Sequence, residues 1–140
     1  MASAIDLVVD TSALVAILTG EADACALLER LKLARRIVLC AANRTELLLV
    51  MQARFGSVGA DRAKQFLALE EIQTQPLDEK LADGAAMAYR RFGKGRHPAG
   101  LNFGDCFSYA LAEHAGAPLL FKGDDFSRTD IRSALAEDFS

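Results

Sequence analysis

Three short apolar runs, at residues 5–9, 37–40 and 119–121, separated by helix-length segments, constrain this chain more than any other feature. A strand that is apolar throughout has both faces buried, and such strands alternating with helices predict a mostly parallel sheet covered on both sides. The runs are too short for helices. A weaker strand is expected at residues 72–75, closed by Pro76.

The segments between them carry helix signals. Ser12 stands where an N-cap would start a helix over 13–18, a second helix is expected over 21–32, and Asn43 or a neighbour caps a third through Phe55. Gly56 and Gly59 separate that helix from one over 60–69. Asp78 is suited to cap a helix over 79–92, which runs into the basic, glycine-rich stretch Gly93-Lys94-Gly95-Arg96-His97-Pro98. A further helix starts at Gly104 or Asp105 and is stopped by Gly116 and Pro118. With 140 residues and no repeat, low-complexity tract or linker, residues 1–140 read as a single domain.

Composition narrows the function classes. A net charge of -3 argues against a protein that coats nucleic acid through bulk positive charge, so any such contact is local. Cys25, Cys40 and Cys106 are odd in number and lie in apolar contexts, which fits reduced core thiols, and His97 and His114 do not complete a zinc site. No segment approaches the roughly 18 consecutive apolar residues of a membrane span. The start lacks the basic and long apolar pattern of a signal peptide, so a cytoplasmic protein with no membrane contact is expected.

The chemistry-bearing candidates are acids. In open parallel α/β sheets the binding crevice lies beyond the carboxyl ends of the strands. Asp10 follows the first strand, Asp124 follows the last, Asp105 begins a helix and Glu46 lies early in the helix after the second strand, so all four can reach one rim. Converging carboxylates repel unless a cation neutralises them, and hard oxygen donors suit Mg²⁺ or Mn²⁺. Such a site activates water against a phosphodiester. Each acid also has a structural role open to it: Asp10 as a helix cap, Asp105 as a helix-start charge, Glu46 as a surface residue, Asp124 and Asp125 as turn caps.

Taken together, Val8-Val9-Asp10-Thr11-Ser12-Ala13, Arg44-Thr45-Glu46-Leu47, Leu101-Asn102-Phe103-Gly104-Asp105-Cys106 and Leu120-Phe121-Lys122-Gly123-Asp124-Asp125-Phe126 resemble the ordered motifs of VapC-type toxin ribonucleases of the PIN-domain family. The resemblance spans essentially the whole chain. It implies a PIN-like α/β/α sandwich with a central, mostly parallel sheet of four or five strands, and Mg²⁺-dependent endoribonuclease activity in which Mn²⁺ substitutes. It implies metal binding and catalysis by Asp10, Asp105 and Glu46, with Asp124 as a fourth member, and supporting hydrogen bonds from Thr11 and Ser12. It also implies a toxin of a type II toxin–antitoxin pair whose partners are RNA, a cognate antitoxin and a second copy of itself, with a higher assembly formed with the antitoxin.

Lys94 and Arg96 are the candidate RNA-backbone contacts, since arginine and lysine pair with phosphates and a basic loop suits unpaired RNA. Arg90 and Arg91 are equally suited to the end of a helix. Leu47 to Met51 make the third helix apolar nearly all round, which calls for core burial, a homodimer contact or an antitoxin groove. Competing readings are weaker. A haloacid-dehalogenase-like phosphatase needs an Asp where Ser12 stands, and a response-regulator receiver needs paired acids near the first strand. A non-catalytic RNA-binding or protein-interaction module, or a DNA-directed PIN-like nuclease, stays open.

Overall fold

Strands β1 (Leu7–Val9) and β2 (Ile37–Cys40) are buried at every position, as their unbroken apolar sequences require. The computed structural model describes residues 4–137. With β3 (Ile72–Gln75) and β4 (Leu119–Leu120) they form one parallel sheet in the order β3-β2-β1-β4. β3 is an edge strand in which only Ile72 is fully buried, which is why Gln73, Thr74 and Gln75 gave a weak strand signal. Beyond β4, Leu119 bridges to Ser133.

Strand pleating sends alternate side chains to opposite faces. Leu7, Val9, Ile37 and Leu39 pack with Leu14, Leu27, Leu31, Leu47 and Leu67, under helices α1 (Thr11–Leu18), α2 (Ala24–Leu33) and α3 (Ala41–Leu69). Val8 and Val38 pack on the other face with Leu81, Phe92, Tyr109 and Leu111, under α4 (Glu79–Phe92) and α5 (Phe103–Ala115). The result is the expected α/β/α sandwich, with a short helix α6 (Ala134–Glu137) following the bridge. No described helix is long and apolar enough to cross a membrane.

The strand order places the topological switch between β1 and β4. The chain steps outward from β1 to β2 to β3, then returns to the opposite side of β1. Loops leaving β1 and β4 therefore diverge at their carboxyl ends and leave a crevice there.

Several local expectations are corrected. Asp10, not Ser12, is the N-cap of α1, accepting from the Ser12 amide at 3.0 Å. Asn43 does not cap α3, which begins at Ala41; it is a fully buried residue of the first turn. The two helices expected on either side of Gly56 form one element with a kink at Gly56, whose φ of 71° is a conformation glycine adopts without strain. Asn102 caps α5 through a capping box with Asp105, so that helix starts before the glycine. Cys25 is exposed, whereas Cys40 and Cys106 are buried, and all three are free thiols.

Candidate active site

A cleft of about 430 Å³ opens at the switch point, and its lining includes Asp10, Glu46, Asp105 and Asp125. Each acid arrives on a different element. Asp10 ends β1, Glu46 lies on the second turn of α3, Asp105 on the first turn of α5, and Asp125 on the loop after β4.

Asp10 is buried, and both of its oxygens are engaged. Oδ2 caps α1, while Oδ1 accepts the hydroxyl of Ser108, which lies one turn beyond Asp105 on α5. Burial pushes the Asp10 pKa up against these hydrogen bonds, and the charge of Glu46 adds to the rise. Asp105 is buried too. Its Oδ2 accepts from the Asn102 amide at 3.0 Å, closing the capping box. Burial, followed by the charges of Asp10 and Asp125, raises its pKa to about 7. Each carboxylate oxygen has more than one lone pair, so these structural hydrogen bonds leave acceptor sites facing the cleft for a further partner.

Glu46 is held by contact rather than by burial. The Asn43 amide donates to Glu46 Oε1 at 3.3 Å and to the Gly104 carbonyl at 3.0 Å, tying α3 to the start of α5. Gly104 lets the carboxylate in: a Cβ there would stand 2.3 Å from Glu46 Oε2. Thr11 donates to the Asn43 carbonyl at 3.1 Å, and Ser12 Oγ accepts from the Lys122 amide at 3.0 Å, so the two hydroxyls after Asp10 brace the walls of the cleft.

Adjacent residues on the last loop are sorted by the fold. Asp125 faces Asp105 across the cleft, close enough to raise its pKa by charge and hydrogen bonding. Asp124 is exposed and is not among the residues lining the cleft; its carbonyl closes a turn by accepting from Ser127 N and Oγ. The loop turns at Gly123, where φ is 96°, and Phe126 is buried, which leaves Asp125 as the residue directed to the site.

The basic residues are likewise divided between the cleft and other surfaces. Lys94 and Arg96 are exposed on the tight loop between α4 and α5 and do not line the cleft. Arg91 is drawn into a network with Glu113, Asp130 and Tyr109, and stacks over Phe92. Arg54 and Lys122 are the cations that line the cleft. Lys122 bonds Glu21 and stands 3.4 Å from Asp23. Glu46, Val50 and Arg54 follow one another at helical spacing on α3, a sequence pattern that puts Arg54 on the same helix face as Glu46. Asn43 and Ser108 stand one turn from Glu46 and Asp105 on their helices, whereas Lys122 had no such signal.

Asp10 and Asp105 are the groups that could hold a cation. Among the described residues no three His, Cys, Asp or Glu side chains are gathered into a ready metal site. The donors are nevertheless hard oxygens whose raised pKa values come from burial and from neighbouring carboxylate charges, both of which a divalent ion of the Mg²⁺ class would relieve.

Known proteins resemble this chain along nearly its full length. The PIN domain family model matches residues 7–132. A Ribonuclease VapC of Mycolicibacterium smegmatis is 48% identical over 126 residues, covering 89% of this chain and 97% of the relative. Ribonuclease VapC30 of Mycobacterium tuberculosis is 46% identical over 129 residues, covering 89% and 95%. Among solved structures, Mycobacterium tuberculosis VapC20, described as a sarcin-ricin loop cleaving toxin, superposes with a TM-score of 0.74 at 17% identity over 90% of this chain and 96% of that one. A chain of a toxin–antitoxin complex from Klebsiella pneumoniae gives 0.66 at 14% identity over 89% and 93%, and both structural likenesses speak for the fold.

Proposed function

Because the chain belongs to the PIN domain family, we propose that it is a Mg²⁺-dependent endoribonuclease and the toxin of a VapBC-type toxin–antitoxin pair. The observation that carries the reading is the meeting of Asp10 and Asp105 in one cleft, where burial and a neighbouring carboxylate make each costly to ionise: Glu46 beside Asp10, Asp10 and Asp125 beside Asp105. A binding module gains nothing from such repulsion. The names of the curated relatives support the ribonuclease class, and the toxin–antitoxin complex among the structural neighbours supports a protein inhibitor.

Asp10 and Asp105 would hold Mg²⁺, with Asp125 beside them, and Mn²⁺ would serve in its place. Bound there, the ion supplies charge that lowers the pKa of water and stabilises the phosphodiester during displacement. The protein's own groups do the remaining work. Ser108 and the Ser12 amide fix the Asp10 carboxylate, and the Asn102 amide fixes that of Asp105. Glu46, held by Asn43, would take a proton from the attacking water. Arg54 and Lys122 offset the charge of an RNA strand entering an acidic cleft.

In this reading the protein acts in the cytoplasm on RNA, pairs with a second copy and is restrained by its cognate antitoxin in a larger assembly. The test is to incubate wild type and Asp105→Asn with total cellular RNA, with and without Mg²⁺, and to map new ends by sequencing. New ends confined to wild type with Mg²⁺ are expected. Identical profiles in every lane would remove the nuclease reading.

A further inference from the structure

A second groove, of about 510 Å³, adjoins the acidic cleft, with Leu49, Val50, Phe103 and Phe107 among its walls. Glu46, Val50 and Asn102 line both, so the two form one continuous trough. Its halves differ in chemistry. The cleft presents Arg54 and Lys122 beside the acids, whereas no lysine or arginine lines the groove.

Phe103 is the notable wall. It is 78% exposed, yet it is the first residue of α5, directly after the Asn102 cap, so its backbone is fixed by the capping box. Its ring meets Phe107 edge to face, with centroids 4.9 Å apart and planes at 82°. A large ring held in place with an open face, two residues from Asp105, is ready to stack without further ordering.

An anionic backbone carrying flat, neutral, aromatic bases matches this division between a charged cleft and an apolar groove. We propose that the groove is a nucleobase subsite: one base of the RNA strand stacks on Phe103 while its neighbouring phosphate lies in the cleft near Arg54. This rests on the ribonuclease reading and adds the part of the substrate that is recognised beside the scissile bond.

The test measures binding separately from cleavage. In an Asp105→Asn background, fluorescence anisotropy compares single-stranded homopolymer RNAs of about 12 nucleotides with an abasic ribose-phosphate chain of equal length and charge. The base-bearing strand that binds best is expected to bind about tenfold more tightly than the abasic chain, which corresponds to about 1.4 kcal/mol and falls within the range for stacking one base. Adding Phe103→Ala abolishes that advantage and leaves the abasic affinity unchanged, whereas Phe103→Trp keeps it. An equal advantage with and without Phe103, or no advantage at all, would overturn the subsite. So would unchanged RNA affinity combined with a lost dimer or lost antitoxin binding, since the groove would then belong to a protein partner. If wild type binds these strands in this way but cuts none of them in Mg²⁺, the hydrolytic reading fails while the subsite stands.

Discussion

Ser108 donates its hydroxyl to Asp10 Oδ1, a bond between residues 98 apart in the chain that anchors the acid ending β1 to the helix carrying Asp105. The two principal acids are thus positioned relative to one another through α5, not through the sheet alone.

Ser108→Ala leaves a buried carboxylate oxygen without its donor. Hydrogen bonds to charged groups are worth about 1.5–3 kcal/mol, and this one holds the Asp10 pKa down. The variant is expected to lose roughly tenfold or more in kcat, a cost of about 1.4 kcal/mol in the barrier. The acid limb of its pH–rate profile should also move to higher pH. A limb that stays in place, with only a lower Tm, would make Ser108 a packing residue.

Gly104→Ala puts a Cβ where the Glu46 carboxylate lies. The end of a glutamate side chain swings aside easily, so the cost to stability should be within about 1 kcal/mol by thermal melting. Turnover should fall to that of Glu46→Gln, and the double variant should lose nothing more, because both changes remove the same carboxylate from the site. Full activity in Gly104→Ala would mean that the position of Glu46 is immaterial.

Asp105 makes the metal-free protein sensitive to pH. Its folded pKa of about 7 lies above the ordinary 3.8, so folding favours the protonated acid. That contribution is fully present below the ordinary value and is lost as pH rises through the folded one. Without metal, the Tm of wild type should therefore fall relative to Asp105→Asn between about pH 4 and pH 8. Added Mg²⁺ should raise the wild-type Tm more at about pH 8 than at about pH 5.5, since a ligand must first lose its proton. Equal Mg²⁺ stabilisation of both proteins at both pH values would place the ion elsewhere.

Asp125→Asn should lower activity by about tenfold or more and reduce the Asp105 pKa, removing a like charge that faces it. Asp124→Asn, at an exposed turn position, should remain near wild type. The reverse order, read by steady-state cleavage, would return the role to Asp124.

Asp10 and Asp105 were legible because strand ends and helix starts are local events, and the sheet rule puts both on one rim. Glu46 was legible from its place after β2. That Asp125 rather than Asp124 lines the cleft was not, because neighbouring residues on a loop are told apart only by how the loop turns, here at Gly123 and over the buried Phe126. Lys94 and Arg96 drew attention as a basic run, yet the turn that packs their loop keeps them off the cleft lining, while Arg54 reaches it from the other wall.

Periodicity and burial pattern alone thus determined the layers, the parallel sheet and the edge on which chemistry sits, since these follow from where apolar residues must hide from water. Only the tertiary structure decided which polar atoms meet. The contacts of Ser108 with Asp10, of Asn43 with Gly104 and of Glu46 with Gly104 join residues distant in sequence across distances of a few ångströms. Hydrogen bonds fade within that range, and no local pattern in a chain encodes it.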